Sequence, residues 1–384
     1  MPAVSVIIPA YNQGHYLSQA IQSVLDQTCQ DFEIIVVDDG STDHTRQVAQ
    51  SFTDLRVRYV YKTNGGLSSA RNAGIRHAAG RFLTYLDSDD LFLPEKLSLL
   101  LAALQERPEW GLVAGQAVLI DENGDRLGEI FDTPLPEDTT QLLLGNPLHV
   151  GSVMVRREWQ ERVGFFDETL RSYEDWDMWL RLARAGCQMG WMPKPVSLYR
   201  FHRAQMTRNG EQMTAATFAV LNKTFSDMEL LPEAWKAMRD EAYSRAYLRA
   251  AAQAYNSQTF AQAKTYMSEA ARLNPALLAN EAGLLAGLVA GWANYVKTSD
   301  PLAFLETVYE HLPDNLAVLR QRRRQELAKE AMQLGFAAYQ QGDLTKARSV
   351  IWRAFCYQPY WLINRGALSI FIRSWLQAGK AAES

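Results

Sequence analysis

The sequence predicts an α/β protein with a mostly parallel sheet flanked by helices in its first half and only helices after it. Two observations predict the sheet: buried-strand patterns alternate with helical ones, and acidic residues follow several strands at their carboxyl ends. A third is the change near residue 215, beyond which Ala, Gln and Leu are frequent and strand patterns cease. We therefore expect two domains, residues 1–210 and 211–384.

The first two strands are continuous apolar runs, a pattern typical of strands buried on both faces. The first covers residues 4–9, and the helix after it has apolar residues at 3.6-residue spacing from Leu17 to Leu25. The second strand lies in FEIIVVDDGSTD, where a Gly turn with Ser41 and Asp43 predicts the cap of the next helix.

The third and fourth strands are VRYVY and RFLTYL, with a helix over 67–79 between them that Gly80 closes in the C′ position. Pro94 is expected in the first turn of the following helix. In sheets of this kind, ligands bind at the carboxyl ends of the strands. Residues 9–11, 38–39 and 87–90 all follow strands there, so we expect them to converge on one crevice.

The helical second half contains two similar segments, residues 246–275 and 331–359. When they are aligned on their final prolines, Ala263 matches Ala347 and Ala270 matches Ala354, and small residues there allow close packing of two antiparallel helices. The pattern resembles tetratricopeptide repeats, most clearly in the second segment. Such repeats predict a surface for a protein partner.

The bulk composition excludes several classes of protein. A net charge of −4 and a pI near 5.9 give no basis for nucleic-acid binding. Cys29, Cys187 and Cys356 are far apart, which predicts reduced thiols and no zinc site. The first residues lead directly into a strand without a signal-peptide pattern, and the apolar run 282–296 is shorter than a spanning helix, so we expect a buried core helix and a cytoplasmic protein.

The motif DSDD, residues 87–90, follows the fourth strand. Asp87, Asp89 and Asp90 lie within reach of one point, and Mg²⁺ or Mn²⁺ prefers such oxygen ligands together with phosphate oxygens. One alternative is a cluster that caps the helix near Pro94, although caps normally adjoin the first helical residue. Another is an aspartate-nucleophile phosphatase, whose motif normally follows the first strand of the sheet.

Acidic and basic residues at two other strand ends are further candidates. Asp38 and Asp39 precede a Gly turn, and a carboxylate there can accept from a ribose hydroxyl or a base N–H. Arg71 lies in NGGLSSARNAG, where the glycines permit close approach of a ligand and the arginine could pair with a diphosphate or a site aspartate. A solvated surface arginine is the alternative.

The segment SYEDWDMWLRLARAG predicts an amphipathic helix that ends at Gly186. Asp175 lies in its first turn on the apolar face, together with Trp179 and Leu182. An acid in a first turn stabilises the helix dipole, yet an acid on the buried face is also a candidate general base. His202 follows a later strand, and a lone histidine of this kind is more often structural than a ligand.

With these pieces in order, residues 3–208 resemble family 2 glycosyltransferases of the GT-A fold. The resemblance rests on five stretches in the right order and spacing, which are VSVIIPAYNQGHYLSQAIQSVLDQT, FEIIVVDDGSTD, NGGLSSARNAGIRHAAGRFLTYLDSDD, VGFFDETLRSYEDWDMWLRLA and YRFH. It implies a nucleotide-sugar donor, with a UDP-sugar first among candidates, and a glycan or lipid-linked acceptor. It also implies an inverting, metal-dependent transfer in polysaccharide, glycolipid or glycoprotein glycan synthesis.

The resemblance also assigns roles to residues, and the cofactor it implies is Mn²⁺ or Mg²⁺. It matches one set of residues to the nucleotide-sugar site, a second to the metal, and a third to the catalytic base and its neighbour. These sets are Pro9, Tyr11, Asp39, Arg71, Asp87 and Ser88 for the donor, Asp87, Asp89 and His202 for the metal, and Asp175 with Glu174 for catalysis.

The last segment, residues 360–380, combines Trp361, Phe371 and Trp375 with several cations. This balance is typical of a helix at a membrane interface, so peripheral contact with the inner face of a membrane is one expectation. A final helix that closes the repeat domain is the alternative. For the whole chain, the alternative to an enzyme is a scaffold that acts through its helical repeats.

Overall fold

The computed structural model of the chain describes residues 1–202 and 209–381, and in the last helix it describes side chains as far as Trp375. The chain divides into two compact units, Met1–Ala242 and Tyr243–Ser384. The first unit carries the sheet, and the second contains only helices and their connections in its described residues. The predicted fold class, an α/β sheet followed by an all-helical part, is confirmed.

One twisted sheet runs through the first unit. Its first four strands in the chain pair only in parallel with one another, in the order β3-β2-β1-β4, and the later strands continue as β8-β6-β9-β5, with β7 beside β6. The described part of this unit forms nine strands, which are β1 Val4–Ala10, β2 Phe32–Asp38, β3 Val57–Tyr61, β4 Phe82–Tyr85, β5 Leu91–Phe92, β6 Trp110–Ile120, β7 Arg126–Phe131, β8 Val153–Arg156 and β9 Gln188–Arg200.

The sheet is mixed because of strands that the sequence analysis does not resolve. The four strands that it predicts pair in parallel, whereas β8 is antiparallel to both β4 and β6, and β5 is antiparallel to β9. The direction in which these later strands run depends on the long connections between them. Periodicity within a strand carries no information on that direction.

Helices cover both faces of the sheet, because successive residues of a strand point to opposite faces. Val6 and Ile8 of β1 pack with α1, α2 and α4, while Ile7 packs with α3 and α6. The helices of this unit are α1 Gly14–Leu25, α2 Thr45–Ser51, α3 Leu67–His77, α4 Lys96–Glu106, α5 Arg157–Val163, α6 Glu174–Arg184, α7 Gly210–Thr224 and α8 Glu233–Ala237.

Two predicted helix ends differ from the structure. Helix α3 ends at His77, and Gly80 does not have the positive φ of a C′ residue. A Cβ on Gly80 would lie 2.6 Å from the backbone nitrogen of Ser5, so this glycine is required by close approach to β1. Helix α4 begins at Lys96 after Glu95, so Pro94 precedes the helix instead of lying in its first turn.

The boundary that composition predicts, at residue 210, lies inside the first unit. Helix α7 starts there, and its Lys223 Nζ lies 2.8 Å from Asp177 of α6 and 2.6 Å from Asp167. The composition changes near residue 215, inside α7. The division of the contacts comes later, between Ala242 and Tyr243.

The second unit packs around a continuous apolar core. Its helices, the first of which begins within the first unit, are α9 Arg239–Asn256, α10 Phe260–Leu273, α11 Ala279–Ala290, α12 Trp292–Tyr295, α13 Pro301–Glu310, α14 Ala317–Gln321, α15 Arg323–Gln340, α16 Leu344–Tyr357 and α17 Arg365–Ala381.

The two similar sequence segments form helix hairpins with the same turn. Gln258 and Gly342, which occupy equivalent positions, both have positive φ, at 60° and 82°. In each turn the next residue donates its N–H to the carbonyl five residues earlier, Thr259 to Ala254 and Asp343 to Ala338. The repeated turn supports an internal duplication, while the resemblance to tetratricopeptide repeats stays a prediction.

The apolar run in the second unit is only partly enclosed. Ala282, Leu285 and Val289 are buried in the core, whereas Leu284 is 50% exposed. Among the described residues, the segment Pro275–Tyr295 is long and apolar enough to cross a membrane, judged by length and composition alone. The packed face agrees with the predicted core helix, and this segment by itself is weak support for a membrane span.

Glycines in the second unit provide a test of its packing. Gly335 of α15 faces the buried Ile351 of α16, and a Cβ there would overlap that side chain. We expect Gly335→Ala to lower the free energy of unfolding by about 1–3 kcal/mol, the usual range for overpacking. Urea unfolding followed by circular dichroism measures the change.

Gly287→Ala is the matched control, because Gly287 lies in helix α11 of the same unit with open space at its Cβ. Alanine there is expected to leave stability unchanged or to raise it by up to about 1 kcal/mol through helix propensity. Equal effects of the two substitutions would contradict the close approach of α15 and α16.

Candidate active site

The predicted convergence of three strand ends is present in the sheet. Asp38 at the end of β2 pairs in register with Ala10 at the end of β1, and Tyr85 at the end of β4 pairs with Ile7. Asp87 follows β4 by two residues. The carboxyl ends of these parallel strands therefore form one edge, which holds the acidic residues that the sequence analysis selects.

The loop after β1 is held in one conformation by the loop after β2. Asn12 adopts a left-handed conformation with φ of 53°; its N–H donates to the Ser41 hydroxyl, and its side-chain oxygen accepts from Thr42 N. Tyr11, next to it, remains 50% exposed, while Pro9 is buried within β1. The Tyr11 ring is therefore presented to solvent on a fixed loop.

The two adjacent acids after β2 have different surroundings. Asp38 is buried, where it accepts from the Tyr59 hydroxyl at 2.7 Å and from Ser41 N at 2.8 Å. These bonds make Asp38 a structural residue of the loop.

Asp39 faces the opposite loop and organises the double glycine. Its Oδ1 accepts from Lys62 Nζ at 2.6 Å and from Gly65 N at 3.0 Å, and its Oδ2 accepts from Gly66 N at 2.7 Å. Gly66 has φ of 91°, a conformation that favours glycine, and it precedes α3. Three of the roughly four acceptor positions of the carboxylate are occupied, and one on Oδ2 remains.

Arg71 is the central cation of the site, and the alternative of a solvated surface arginine is wrong. The residue is 1% exposed; its Nη2 lies 2.7 Å from Asp87 Oδ1, and its Nη1 pairs with Glu174. Burial alone would lower the pKa of Arg71, but Asp87 and then Glu174 raise it overall. The guanidinium thus stays charged and joins the loop after β4 to the start of α6.

The remaining acids of the DSDD motif each have a partner of their own. Asp89 Oδ2 lies 2.8 Å from His202 Nε2, and this hydrogen bond is the main cause that raises the pKa of His202. Asp90 is buried beside His149 and accepts from Arg200 N at 2.8 Å. Desolvation raises the pKa of Asp90 to about 7. Ser88, between Asp87 and Asp89, is 5% exposed.

The cap alternative for DSDD finds no support, because no side chain caps α4. The motif also follows the fourth strand in chain order, away from the first-strand position that a phosphatase of the rival class uses.

The donor set fits a divalent cation that also takes ligands from a diphosphate. Asp87 and Asp89 each use one carboxylate oxygen, toward Arg71 and His202, and the other oxygen has no hydrogen bond within the described part of the chain. In residues 1–202 and 209–381 no group of three or more His, Cys, Asp or Glu side chains is arranged to hold a metal alone. Two carboxylates with phosphate oxygens are the ligand set that Mg²⁺ prefers.

The candidate base lies in the first turn of α6, and the residue before this helix has a strained backbone conformation. Tyr173 has φ of 58°, and such strain persists only where surrounding contacts enforce it. Trp176 Nε1 donates to the Leu142 carbonyl at 2.8 Å, which anchors the first turn. As predicted, α6 ends with Gly186 in the left-handed conformation.

Asp175 itself is half-buried and accepts from Asn146 Nδ2 at 3.0 Å. Desolvation and the neighbouring Glu174 raise the pKa of Asp175, Arg71 opposes both, and together these effects raise it to about 7. A carboxyl group that titrates near neutral pH is suited to proton transfer. Glu174, one residue earlier, is 5% exposed and held by Arg71.

Several residues of this site are missed by the sequence analysis, namely Lys62, Lys96, Asn146, His149 and Arg200. Lys62, Lys96, Asn146 and His149 are single polar residues outside a recognisable motif, and Arg200 lies in YRFH without a role that the pattern assigns to it. Lys96 is the extreme case, because a lysine at the start of a helix predicts a solvated side chain. It is fully buried instead, and burial lowers its pKa well below the usual value.

Two hydrogen bonds explain how Lys96 is accommodated under the motif. Its Nζ donates to the Thr84 hydroxyl at 2.8 Å and to the Gly151 carbonyl at 2.7 Å, and it lies 3.3 Å from the centre of the Phe92 ring. Lys96 thereby ties α4 to β4 and to the turn before β8.

A cavity of about 510 Å³ adjoins the double glycine. It lies between the start of α3 and the segment that leads into α6. Its lining mixes apolar side chains with hydrogen-bonding groups. The lining residues are Gly65, Gly66, Leu67, Ser68, Glu168, Leu170, Arg171 and Gln212.

Comparison with known sequences identifies the first unit. The family described as "Glycosyl transferase family 2" matches residues 5–161. A Bacillus subtilis glycosyltransferase named for teichuronic acid biosynthesis, TuaG, is 31% identical over 222 residues, which are 57% of this chain and 87% of that protein.

Longer relatives match over the same part of the chain. An uncharacterised glycosyltransferase of Rickettsia bellii is 37% identical over 191 residues, or 48% of this chain and 28% of that protein. Chondroitin synthase of Escherichia coli is 32% identical over 190 residues, again 48% of this chain and 27% of that protein. The chain thus spans less than a third of the length of these two relatives.

Solved structures share the fold at low sequence identity. Staphylococcus aureus TarS 1-349, in complex with UDP-GlcNAc, has a TM-score of 0.52 at 20% identity and covers 89% of this chain and 92% of its own. A mannosyltransferase from Pyrobaculum calidifontis, in complex with GDP-Man and Mn²⁺, has a TM-score of 0.52 at 18% identity, with coverage of 84% and 87%. These likenesses support the predicted GT-A fold.

The buried ion pairs of Arg71 generate a stability prediction. Arg71→Met leaves Glu174 buried without its cation, and breaking a buried pair from one side costs about 3–5 kcal/mol. We expect a loss of this size in the free energy of unfolding, measured by urea titration.

Arg323→Met is the control, since Arg323 pairs with Glu310 and both side chains are exposed, at 41% and 55%. An exposed pair of that kind contributes at most about 1 kcal/mol. If both variants lose the same stability, Arg71 does not have the central role inferred here.

Proposed function

The chain belongs to glycosyltransferase family 2, and we propose that it moves a sugar from a nucleotide-diphosphate sugar to an acceptor hydroxyl. We assign this activity to the synthesis of a polysaccharide, glycolipid or glycoprotein glycan. The observation that carries the proposal is Arg71, which binds Asp87 on the donor side and Glu174 beside the candidate base. One buried cation thereby joins the two groups of carboxylates that this chemistry needs.

The donor nucleotide is expected at the edge formed by the first two strands. Tyr11 offers an exposed ring to the base, and the remaining acceptor position on Asp39 Oδ2 suits a base N–H or a ribose hydroxyl. Pro9 and Ser88 complete the proposed donor site. We expect a UDP-sugar, because a fold neighbour of this chain was solved with UDP-GlcNAc.

Asp87 and Asp89 would hold Mn²⁺ or Mg²⁺ through their remaining oxygens, with His202 beside Asp89. When bound, such a cation neutralises charge that develops on the departing diphosphate. Arg71 fixes the orientation of Asp87, and His202 fixes that of Asp89. Asp90 supports the loop from behind, through Arg200 and His149.

Asp175 would act as the general base. Its carboxylate takes the proton from the acceptor hydroxyl while the hydroxyl oxygen attacks the anomeric carbon from the face opposite the nucleotide. The bond from that carbon to the diphosphate oxygen breaks as the new glycosidic bond forms, so the configuration inverts. Asn146 donates a hydrogen bond to the Asp175 carboxylate, and the neighbouring Glu174 is paired with Arg71.

The cavity beside the double glycine is the proposed entry for the acceptor. Leu67 and Leu170 offer apolar surface, while Glu168, Arg171 and Gln212 offer hydrogen-bonding groups, a mixture that suits the faces and hydroxyls of a sugar. It adjoins the segment that leads into α6, where Asp175 lies.

The enzymatic proposal is tested by metal-dependent turnover of the donor. We expect hydrolysis or transfer of a nucleotide sugar with Mn²⁺, after a thermal-shift screen in which the correct donor raises the melting temperature by mass action. Asp89→Ala should lower this turnover by at least about 100-fold, because charge stabilisation at the diphosphate is worth several kcal/mol.

Asp240→Ala, at an exposed acid outside the site, controls for loss of charge. The absence of metal-dependent turnover with every common nucleotide sugar would contradict the enzymatic proposal. It would leave the scaffold alternative in its place.

The role of Asp175 predicts the pH dependence of transfer. Its carboxyl must be deprotonated to accept a proton, and its pKa is raised to about 7. We therefore expect kcat/KM to rise from pH 6 to pH 8 with a midpoint near 7 and then to level off. Asn146→Ala removes a hydrogen bond that lowers this pKa, so the midpoint should move to higher pH.

Asp175→Asn is the companion variant. It should reduce transfer by about 10²–10⁴-fold while donor affinity stays within about twofold, because the residue acts on the acceptor. Equal losses of transfer and donor binding, or an unshifted pH profile in Asn146→Ala, would contradict the assignment of the base.

A further inference from the structure

The last two helices of the second unit leave large apolar side chains in solvent. Trp352 of α16 is 56% exposed, and Leu368, Ile372 and Trp375 of α17 are 36%, 47% and 58% exposed. We call these four residues the C-terminal patch. Scattered exposed apolar residues need no explanation, but a cluster of this kind on neighbouring helices marks an interaction surface.

The patch forms one surface because of its helical spacing and ring contacts. Leu368, Ile372 and Trp375 are spaced i, i+4 and i+7, which places them on one side of α17. Trp352 stacks on Phe371 of α17 with ring centres 6.1 Å apart. Side chains of α16 and α17 therefore contribute to the same apolar face.

The neighbouring side of α17 already packs into the unit. Ala367 and Ser374 are fully buried, and Phe371 lies edge-on to Phe355 of α16 at 5.4 Å. A helix that only closed the core would have its apolar residues on this side. The patch is additional apolar surface, so the alternative of a simple closing helix does not explain it.

The turn between the two helices adds further exposed apolar side chains. Tyr360, Leu362 and Ile363 of the 3-10 segment Pro359–Ile363 are 72%, 45% and 71% exposed. Aromatic and aliphatic residues in a turn beside an apolar helix face are a frequent feature of interfacial segments.

Charge distinguishes this region from the rest of the acidic chain. Residues 344–381 contain no Asp or Glu and six cations, which are Lys346, Arg348, Arg353, Arg365, Arg373 and Lys380. Arg353 pairs with Glu306 of α13. The ion pairs of the described residues include none of Lys346, Arg348, Arg365 and Arg373, and Arg348 lies 4.1 Å from the centre of the Trp375 ring.

We propose that this region binds the surface of an anionic lipid membrane, with the patch among the acyl chains and headgroups and the cations at the phosphates. Apolar residues next to cations, in a segment that itself contains no Asp or Glu, match both parts of such a surface. A second copy of the chain fits less well. A symmetric dimer through the patch would bring each set of cations against the same set on its partner.

This inference is independent of the proposed catalytic activity, since it concerns the second unit alone. Binding would hold the protein at the surface where lipid-linked acceptors are found. A failure of lipid binding would leave the roles of Asp89 and Asp175 untouched.

The test is flotation of the full chain with vesicles of phosphatidylcholine alone or with 30% phosphatidylglycerol, a composition chosen as roughly that of an anionic leaflet. We expect flotation with the anionic vesicles only, and a marked decrease between low and high salt because exposed charges are screened. No flotation with anionic vesicles at low salt would overturn the proposal.

Two paired variants separate the apolar and the charged contributions. Ile372→Ser with Trp375→Ser, and Arg365→Gln with Arg373→Gln, should each lower the bound fraction by about tenfold or more. Leu55→Ser with Leu230→Ser is the apolar control, since both leucines are exposed elsewhere, at 98% and 78%. Arg324→Gln with Lys329→Gln is the charge control, at exposed cations of α15.

Each further outcome decides the question. One outcome would overturn a lipid surface and indicate an acidic macromolecule. It is binding that is lost in Arg365→Gln with Arg373→Gln but kept in Ile372→Ser with Trp375→Ser and in Tyr360→Ser with Ile363→Ser. Loss of a dimer in the serine variant, seen by sedimentation without lipid, would show that a second copy covers the patch. If circular dichroism shows that Ile372→Ser with Trp375→Ser is unfolded, Tyr360→Ser with Ile363→Ser replaces it.

Discussion

The buried guanidinium of Arg71 is the interaction on which the candidate site depends. It forms ion pairs with Asp87, after the fourth strand, and with Glu174, at the start of α6, two residues that are far apart in the chain. An arginine suits this position because its planar fork can bind two carboxylates at once and stays charged when buried. Without it, two acids would face each other in a region of low dielectric, and the loops that carry them would separate.

The same principle explains how the DSDD motif accommodates three acids within four residues. Each carboxylate has its own basic partner, which is Arg71 for Asp87, His202 for Asp89 and His149 for Asp90. Arg71 and His202 offset the charges of Asp87 and Asp89, while burial favours the neutral form of Asp90 and raises its pKa to about 7. Arg71 and His202 each engage a single oxygen of their aspartate and leave the other available for the proposed cation.

The two units depend on different kinds of interaction. The first unit uses buried charge, a strained Tyr173 and fixed loops, which are features of a site organised in advance for chemistry. The second unit uses close helix packing around small residues, and its end combines several cations with large exposed apolar side chains. The proposed catalysis and the proposed membrane binding therefore rest on different units, so each can be tested by variants that leave the other unit unchanged.

The sequence by itself determined the order of the first four strands and the helices between them, the strand ends where Asp39, Asp87 and Asp89 lie, and the placement of Asp175 on the apolar face of a helix. These features follow from local periodicity and turn residues, which act over a few positions. Tertiary structure alone decided that Arg71 is buried, that Lys96 lies beneath the motif and that half of the sheet is antiparallel. Those outcomes depend on partners many residues away, such as Glu174 for Arg71, and no local pattern encodes such a pairing.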